Sequence, residues 1–174
     1  MLRLELITKD NIDIAIKIEN KIFPLYNAKN NYYDSLENDR VNFFLVYDND
    51  IIVGISGVYS YKEDHDNAWL GFFGIKEEYR NKKYGKKTLL LSEEYAKKLN
   101  FKFMRLLTDK FDNDYAIEFY ERNGYTFEDY DSDLEPLKEK FKVVIGSKAL
   151  GDIEPDKWDN RFINLSKQTI KQQY

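Results

Sequence analysis

The sequence GIKEEYRNKKYGKKTLLL, residues 74–91, runs from the end of an apolar segment into an amphipathic one. Its central part, residues 80–87, carries five positive charges and no acid. A helix that begins here would present its free backbone N–H groups and the positive end of its dipole to a ligand. Phosphate groups bind at such helix starts, Arg80 can hold a phosphate with two parallel hydrogen bonds, and Gly85 permits close approach. The stretch therefore predicts an anion site, and the alternative is a basic helix start that meets only solvent.

Lysine side chains near a helix N-terminus oppose the helix dipole, so their presence here is slightly unfavourable for structure alone. This small cost favours the anion site. The loop is not a Walker P-loop, because the pattern G-x-x-x-x-G-K-[ST] is absent, and it also lacks the G-x-G-x-x-G turn of dinucleotide-binding domains. The charge pattern by itself leaves the identity of the phosphate ligand open.

The segments around this loop predict a mixed α/β fold, of the α+β kind, with a mostly antiparallel central sheet flanked by helices. Alternating apolar residues predict a first strand at residues 2–7, and helical spacing predicts a helix that starts near Thr8, Asp10 or Asn11. Pro24 and the Asn-rich stretch 27–31 are predicted to end this helix or to break it into two pieces. The predicted order is β-α-α-β-β-β-α-β-α-β-β, with further helices at residues 32–40, 84–99 and 115–123 and further strands at residues 42–47, 51–61, 68–75, 101–108, 125–130 and 141–147. Asp48, Asn49 and Asp50 lie between two of these strands and predict a hairpin.

Length and composition indicate a single domain. The chain has 174 residues, of which 43% are hydrophobic and 16% aromatic, which is enough to bury a core. We predict one domain at residues 1–150 and a C-terminal extension at residues 151–174. The extension is predicted to form a helix packed on the domain, and an unstructured tail is the alternative. Its apolar anchors are Trp158, Phe162, Ile163, Leu165 and Ile170.

Composition also excludes several classes of protein. The chain has no Cys and one His, which excludes disulfides, thiolate metal sites, a Cys nucleophile and any site with two His ligands, so no metal is predicted. The net charge is −4, which argues against a general nucleic-acid-binding protein. The first nine residues lack the apolar core of a signal peptide, and no apolar run is long enough to cross a membrane. We therefore expect a cytoplasmic protein with no nucleic-acid or membrane partner.

Within the quoted stretch, the residues I-K-E-E-Y-R-N-K-K-Y-G-K-K-T-L-L resemble the acyl-CoA-binding signature of the GNAT family of N-acetyltransferases, R/Q-x-x-G-x-G/A. Arg80 matches the first position of the signature and Gly85 matches the last. Lys83 stands where the family usually has Gly, and Asn81 stands where a further Gly is common. These two positions are departures from the family pattern.

A second segment, N-D-Y-A-I-E-F-Y-E-R-N-G-Y-T-F at residues 113–127, resembles the family's N-x-x-A-x-x-F-Y-x-x-x-G-F segment. Every anchor position has a match, with Tyr125 in place of the usual Phe. Gly124 falls at the end of the predicted helix, where a left-handed residue fits. The two segments follow each other in the family's order, and the resemblance extends over residues 42–130.

The resemblance implies an enzyme that binds acetyl-CoA as acyl donor and transfers its acetyl group to an amine by direct attack. It also implies that the strand before the loop offers backbone N–H groups to the pantetheine arm and the thioester oxygen. Gly71 and Gly74 would ease the bulge that this requires; the alternative is a core strand that its glycines weaken. The implied donor-binding residues are Phe73, Ile75, Arg80, Asn81, Lys82, Lys83, Tyr84, Gly85, Lys86, Asn113, Ala116 and Phe119. Asn113 would bond to the pantetheine arm, and the alternative is that it only caps its helix.

Tyr120 is the implied catalytic residue, because the family places a Tyr at this helix position beside the sulfur. A phenol has a pKa of about 10 and a thiol of about 8.5, so Tyr120 can donate a proton to the leaving thiolate. The alternative is a core aromatic residue on the apolar face of its helix. The base that accepts the proton of the amine is not identified, and His65, Asp66, Glu19 and a chain of waters all stay open.

The acceptor is predicted to be a small-molecule or peptide amine. Residues 109–135 contain ten acids and two basic residues, which would favour a cationic amine if they flank the acceptor cleft. An ordinary solvated acidic face is the alternative. The protein is predicted to be a monomer or a homodimer. Two other functions stay open, an acyl-CoA-binding sensor or scaffold without catalysis, and an unrelated domain whose basic loop binds nucleic acid or another phosphate ligand.

Overall fold

The computed structural model describes residues 1–24, 29–110, 114–130 and 143–159, which fall into two compact units. The first unit comprises Met1–Ser60 and Ala68–Asn100, and the second comprises Tyr61–Asn67 and the described residues from Phe101 onward. The fold class is mixed α/β with mostly antiparallel strands, as the sequence predicts. The assignment of residues 1–150 to one domain stays a prediction.

Four antiparallel strands form the sheet of the first unit, and each pairs with the next along the chain. They are β1 (Leu2–Leu6), β2 (Val41–Asp48), β3 (Ile51–Tyr59) and β4 (Asn67–Ile75). The turn between β2 and β3 has Asn49 at a φ of 52°, a left-handed value that Asn tolerates, so the predicted hairpin is confirmed. Both central strands are near-continuous apolar runs that are buried on both faces, so helices must cover both sides of this sheet.

Three helices cover the sheet of the first unit, α1 (Ile12–Ile22), α2 (Lys29–Ser35) and α3 (Tyr84–Lys98). Apolar residues of α1 pack in one core cluster with Tyr32 of α2 and Phe43 of β2. Phe44, the next residue of β2, faces the opposite side, where its ring centroid lies 4.9 Å from that of Tyr95 in α3. Because successive side chains of a strand point to opposite faces, Phe43 packs on the α2 side of the sheet and Phe44 packs on the α3 side. Of the helices that the structure describes, none is both long and apolar enough to span a membrane.

Where the structure describes the chain, the order of α-helices and β-strands is as predicted, but some boundaries and caps differ. Asn30 and Asn31 lie inside α2, although the sequence predicts a break there and a helix only from Tyr32. Packing explains this, because Tyr32 is 1% exposed and its burial outweighs the weak helix propensity of Asn. Asn11 is the N-cap residue of α1, yet its side chain makes no cap bond and accepts the backbone N–H of Thr8 at 2.8 Å.

The described residues of the second unit form three antiparallel strands and one helix. The strands are β5 (Phe103–Asp109), β6 (Thr126–Asp129) and β7 (Val143–Ala149), with β7 paired to both of the others, and the helix is α4 (Asp114–Glu121). The sequence predicts each of these elements to within a few residues. Burial is greatest in β5 and β7, where Met104 and Ile145 are fully buried. The core of this unit therefore lies around its paired strands.

A buried arginine organises the second unit. Arg105 on β5 is 1% exposed, and its guanidinium donates to Asn67 Oδ1, to Ser147 Oγ at 2.9 Å and to the backbone oxygen and carboxylate of Asp156 at 2.9 and 3.2 Å. It also lies 5.5 Å from the centroid of the Trp158 ring. Because a buried charge is tolerated only when it is paired, these partners are required for the packing of this unit.

The C-terminal extension begins without a helix. Residues 151–159 form bends and irregular chain, and Asp156 binds Arg105 as described above. Trp158, a predicted anchor, is 7% exposed, and its backbone N–H donates to Glu128 at 2.7 Å. Residues 160–174, with the anchors Phe162, Ile163, Leu165 and Ile170, lie outside the described residues, so the helix predicted for them stays a prediction.

We expect Arg105→Lys to lower the free energy of unfolding by about 2 to 4 kcal/mol. Lysine keeps the buried charge but cannot reproduce the fork of guanidinium donors, so buried acceptors lose their partners. Arg122→Lys is the matched control, because Arg122 forms an exposed pair with Glu118 at 2.9 Å, which contributes at most about 0.5 kcal/mol. Urea unfolding measures both variants, and equal losses would contradict the role given to Arg105.

Candidate functional site

The most unusual backbone of the first unit lies in β4. In the pairing of β3 with β4, Ile55 lies opposite Gly74 and Gly57 lies opposite Gly71. The one residue between them on β3, Ser56, therefore lies opposite two residues of β4, Phe72 and Phe73. This is a β-bulge, which bends a strand and re-aims its backbone groups. The family resemblance implies a bulge that Gly71 and Gly74 would ease, and the structure has the irregularity between those two glycines.

The left-handed residue of the bulge is not a glycine. Phe72 has a φ of 44°, which is rare for a residue with a large side chain. Gly74 serves a different purpose, because a Cβ atom there would lie 2.4 Å from Ile22 Cγ2 and 3.1 Å from the Phe23 ring. The glycine therefore lets α1 approach β4, and the strain at Phe72 must be balanced by the packing around it.

Beyond β4 the chain makes a short 3₁₀ turn, Glu77–Tyr79, which the sequence did not predict. Arg80 donates from Nε to the backbone oxygen of Ile75 at 3.1 Å, so the side chain folds back on the end of β4. The ring of Tyr79 lies 5.0 Å from Lys76 Nζ and 5.5 Å from Lys82 Nζ. These contacts gather cations at the end of the strand.

The two departures from the family signature adopt the same unusual conformation. Asn81 has a φ of 60° and Lys83 a φ of 64°, both in the left-handed region that favours glycine. The backbone of the loop therefore has the conformation that glycine would adopt most easily, although side chains occupy both positions. Both side chains are exposed, so neither occupies buried space.

Lys83 is the N-cap residue of α3, and its backbone oxygen accepts the N–H of Lys87 at 3.2 Å. The backbone N–H groups of Tyr84, Gly85 and Lys86 therefore precede the hydrogen-bond ladder of the helix. No side chain caps this end, and its first turn contains no acid. The helix start combines free donors, the positive dipole end and exposed Lys side chains, which is the arrangement that binds anionic groups.

Two hydrogen bonds fix α3 on the sheet. The hydroxyl of Tyr84 donates to Asp48 Oδ2 at 2.7 Å, and this bond lowers the pKa of Asp48 and raises the pKa of Tyr84. Farther along the helix, the hydroxyls of Ser92 and Ser56 are 2.8 Å apart in a buried contact. Ser56 is the residue of β3 that lies opposite the bulge, so the second bond joins α3 to the strand at the bulge. No sequence motif points to Ser56, Ser92 or Asp48.

The predicted catalytic residue, Tyr120, lies on α4 in the second unit. It is 9% exposed, and its ring centroid lies 5.2 Å from Phe119 and 5.5 Å from Tyr125. Burial raises the pKa of Tyr120 well above the ordinary value of a phenol, so the hydroxyl keeps its proton at physiological pH. A neutral phenol that keeps its proton suits a hydrogen-bond donor.

Gly124 fixes the end of the helix that carries Tyr120. Its φ is 88°, its N–H donates to the oxygen of Glu121 at 3.0 Å, and the N–H of Tyr125 donates to the oxygen of Tyr120 at 3.1 Å. These two bonds form a Schellman motif, in which the contact between the Tyr120 and Tyr125 rings is the usual apolar partner. The left-handed glycine predicted at this position is confirmed.

The predicted donor-binding residues fall in both units. The first unit brings together the residues of β4, the loop and the helix start, namely Phe73, Ile75, Arg80, Asn81, Lys82, Lys83, Tyr84, Gly85 and Lys86. The second unit holds Ala116, Phe119 and Tyr120 on α4. Asn113 lies outside the described residues, so its predicted contact with the pantetheine arm stays a prediction.

The three candidate bases occupy very different surroundings. His65 is exposed, and Asp66 forms an ion pair with Lys102 at 2.9 Å. Glu19 is fully buried on the core face of α1. A residue that the sequence analysis missed, Asp64, is also fully buried, and its Oδ1 accepts the backbone N–H of Asn67 at 3.1 Å. Asp64 therefore shapes the turn that precedes β4.

The acidic stretch of residues 109–135 is partly paired where the structure describes it. Lys110 binds Asp129 at 2.6 Å and Arg122 binds Glu118 at 2.9 Å, so both of its basic residues neutralise acids within the stretch. Glu128 accepts the backbone N–H of Trp158. Among the residues described, no group of three His, Asp or Glu side chains is arranged to hold a metal ion.

The sequence profile of the acetyltransferase (GNAT) family matches residues 10–125, which is more than half of the chain. The chain belongs to the GNAT acetyltransferase family. Membership supports an acyl-CoA-dependent N-acetyltransferase in general and leaves the acceptor and the mechanism unspecified. A search of curated protein sequences gives no match.

Solved GNAT structures share the fold of this chain. The PaiA N-acetyltransferase from Thermoplasma acidophilum, in complex with coenzyme A, is 19% identical with a TM-score of 0.66, over 86% of this chain and 99% of that one. A chimera of spermidine N-acetyltransferase SpeG from Vibrio cholerae and hSSAT is 15% identical with a TM-score of 0.70, over 86% and 95%. A GNAT acetyltransferase from Elizabethkingia anophelis with acetyl-CoA bound is 14% identical with a TM-score of 0.64, over 85% and 97%.

We expect Lys83→Gly to raise the free energy of unfolding of this GNAT protein by roughly 0.5 to 1 kcal/mol. A left-handed conformation costs a non-glycine residue about 1 to 2 kcal/mol, and the greater freedom of Gly in the unfolded chain offsets part of the gain. Lys82→Gly is the control, because Lys82 has no positive φ and should lose stability or stay unchanged. Chemical unfolding compares them, and a less stable Lys83→Gly variant would overturn the assignment.

Proposed function

We propose that this protein transfers the acetyl group of acetyl-CoA to an amine by direct attack of the amine nitrogen on the thioester carbon. The observation that carries the proposal is the pairing, within the first unit, of a bulged β4 with an uncapped, basic start of α3. Backbone donors at a bulge and at a helix start are the two features that a thioester and a pyrophosphate need. The absence of Cys excludes a cysteine acyl-enzyme and leaves direct transfer as the simplest route.

We assign the pyrophosphate of acetyl-CoA to the start of α3. The backbone N–H groups of Tyr84, Gly85 and Lys86 are its proposed donors, and the exposed side chains of Lys82 and Lys83 add positive charge around them. The side chain of Tyr84 is already held by Asp48, so the backbone of Tyr84 is the part offered to the ligand. Arg80 is bound to Ile75 and would add long-range charge, or a direct contact after turning outward.

We assign the thioester to β4. The bulge interrupts the regular register at Phe72 and Phe73. The proposed role of the Phe73 N–H is to bind the carbonyl oxygen as it gains negative charge. Such a preorganised donor accounts for about 3 kcal/mol of transition-state stabilisation in other acyl transfers. Ile75, at the end of the strand, is the second proposed main-chain contact with the pantetheine arm.

We assign Tyr120 to the leaving group. When the amine attacks, the new C–N bond forms and the C–S bond breaks with its electron pair on sulfur. The thiolate takes the proton of Tyr120, and the protonated base or the solvent returns a proton to Tyr120. The raised pKa of Tyr120 supports a neutral donor that stabilises the thiolate by hydrogen bonding. The proton of the attacking amine passes to a base, for which His65, Asp66, Glu19 and water remain the candidates.

The acceptor is proposed to be a primary amine of a small molecule or a peptide, with a cationic amine favoured. The family comparison supports an amine acceptor in general, and the spermidine N-acetyltransferase chimera is a neighbour whose name includes a polyamine. Lys110 and Arg122 form ion pairs with two of the described acids around α4 and compensate their negative charge. This pairing weakens the argument that the acidic stretch attracts a cationic amine. Assays of acetyl transfer to a panel of amines that includes polyamines and peptide N-termini distinguish a small-molecule acceptor from a peptide acceptor.

We expect saturable binding of acetyl-CoA in isothermal titration calorimetry, with an affinity that falls as salt is added because phosphates meet exposed lysines. Lys86→Glu, in the first turn of α3, should weaken binding about tenfold. The matched control is Lys97→Glu, an exposed lysine in the last turn of the same helix, which should change binding less than twofold. No detectable binding at high micromolar acetyl-CoA would overturn the proposal.

Tyr120→Phe should lower kcat by about a hundredfold and leave the Kd of acetyl-CoA within twofold, since the hydroxyl acts only after attack. Tyr125→Phe is the matched control, because Tyr125 is also buried and belongs to the same ring cluster. Steady-state kinetics with the best amine of the panel measure both variants. Unchanged turnover in Tyr120→Phe would refute the acid role, and saturable binding without transfer to any amine would favour an acyl-CoA sensor.

A further inference from the structure

Three aromatic rings from three different elements meet beside the bulge of β4. Tyr32 of α2 and Phe43 of β2 lie edge to face with centroids 5.0 Å apart. Phe72 completes the group, with centroid distances of 5.5 Å to Phe43 and 6.1 Å to Tyr32. Tyr32 is 1% exposed and Phe43 is 4% exposed, so the two rings are fixed in the core. We call these three residues the aromatic brace.

Phe72, the residue that the brace contacts in β4, has a strained backbone. Phe72 adopts a φ of 44°, a conformation that persists in a bulky residue only where its surroundings determine it. On one side, the ring of Phe43 lies close to the backbone of Gly57, because a Cβ atom on Gly57 would lie 2.4 Å from Phe43 Cδ1. Gly57 pairs with Gly71, the last register pair before the bulge. The ring of Phe43 is therefore seated on the backbone that borders the bulge.

Tyr32 closes the brace from the helix side through its ring. Its buried hydroxyl has no hydrogen-bond partner among the residues that the structure describes. Burial raises the pKa of Tyr32, and the nearby carboxylate of Glu19 raises it further, so the hydroxyl stays neutral. Because the hydroxyl makes no hydrogen bond to these residues, it does not fix the position of Tyr32 or of its neighbours. The aromatic ring is therefore the part of Tyr32 that supports Phe72.

We propose that Tyr32 is a positioning residue for acyl transfer, acting through Phe43 and Phe72 to hold the β4 bulge in the geometry that binds the thioester carbonyl. This inference rests on the proposed function, in which the neighbouring N–H of Phe73 polarises that carbonyl. A donor that acts on the transition state must be preorganised, and a displacement of about 1 Å can lower the rate a hundredfold. The brace therefore makes α2, a helix remote in sequence from the donor loop, part of the catalytic support.

The test compares two adjacent phenylalanines of β2 that face opposite ways. Phe43→Leu removes a ring of the brace, while Phe44→Leu removes an equally buried ring that packs on Tyr95 of α3. We expect Phe43→Leu and Tyr32→Leu to lower kcat at least tenfold and to leave the Kd of CoA, which has no thioester, within twofold. Phe44→Leu and the conservative Tyr32→Phe should keep kcat within twofold. Circular dichroism confirms that each variant is folded at the assay temperature.

Equal falls in kcat for Phe43→Leu and Phe44→Leu would overturn the proposal, as would an unchanged kcat in Tyr32→Leu. If the unmodified protein transfers acetyl to no amine, the proposed function is wrong. The role of the brace in holding the β4 bulge can then be tested by a measurement that does not depend on catalysis. The backbone amide signals of Phe72 and Phe73 in heteronuclear NMR should then shift in Phe43→Leu and stay in place in Phe44→Leu. Amide signals unchanged in both variants would show that the brace does not hold the bulge.

Discussion

The left-handed backbone of Phe72, where one residue of β3 spans two of β4, is the constraint on which the first unit depends. The side chain of Phe72 packs on Phe43 in the aromatic brace, and α1 approaches the strand closely at Gly74, where a Cβ atom would meet Ile22. Opposite the bulge, Ser56 makes a buried contact with Ser92 of α3. The bulge therefore packs together with residues of all three helices and of the sheet.

The basic loop shows how a chain can depart from a family signature and keep its backbone. Asn81 and Lys83 stand where glycine is common, yet both adopt left-handed conformations that glycine would adopt at no cost. What the substitutions change is local stability and charge. Lys83 adds a cation at a helix start that already lacks acids, which is unfavourable for the isolated helix and favourable for a phosphate ligand.

The second unit is organised by different forces. Arg105 is a charge buried among side-chain and backbone acceptors, and its partners tie β5 and β7 to the start of the C-terminal extension. Tyr120 is held by apolar packing and by the Schellman motif at Gly124. Hydrogen bonds to a charge tolerate little change in geometry, whereas aromatic packing tolerates more. We therefore expect the region around Arg105 to be the more sensitive of the two to substitution.

The sequence by itself determined the order of the elements, the hairpin at Asn49, the helix start at Tyr84 and the left-handed Gly124, because each depends on periodicity or on residues adjacent in the chain. It also predicted a bulge near Gly71 and Gly74. Only the tertiary structure decided that Phe72 is the left-handed residue, that α2 includes Asn30 and Asn31, and that Arg105 is buried among acceptors. These features depend on contacts between residues far apart in the chain, whose packing outweighs local preference, and no single segment of the sequence records them.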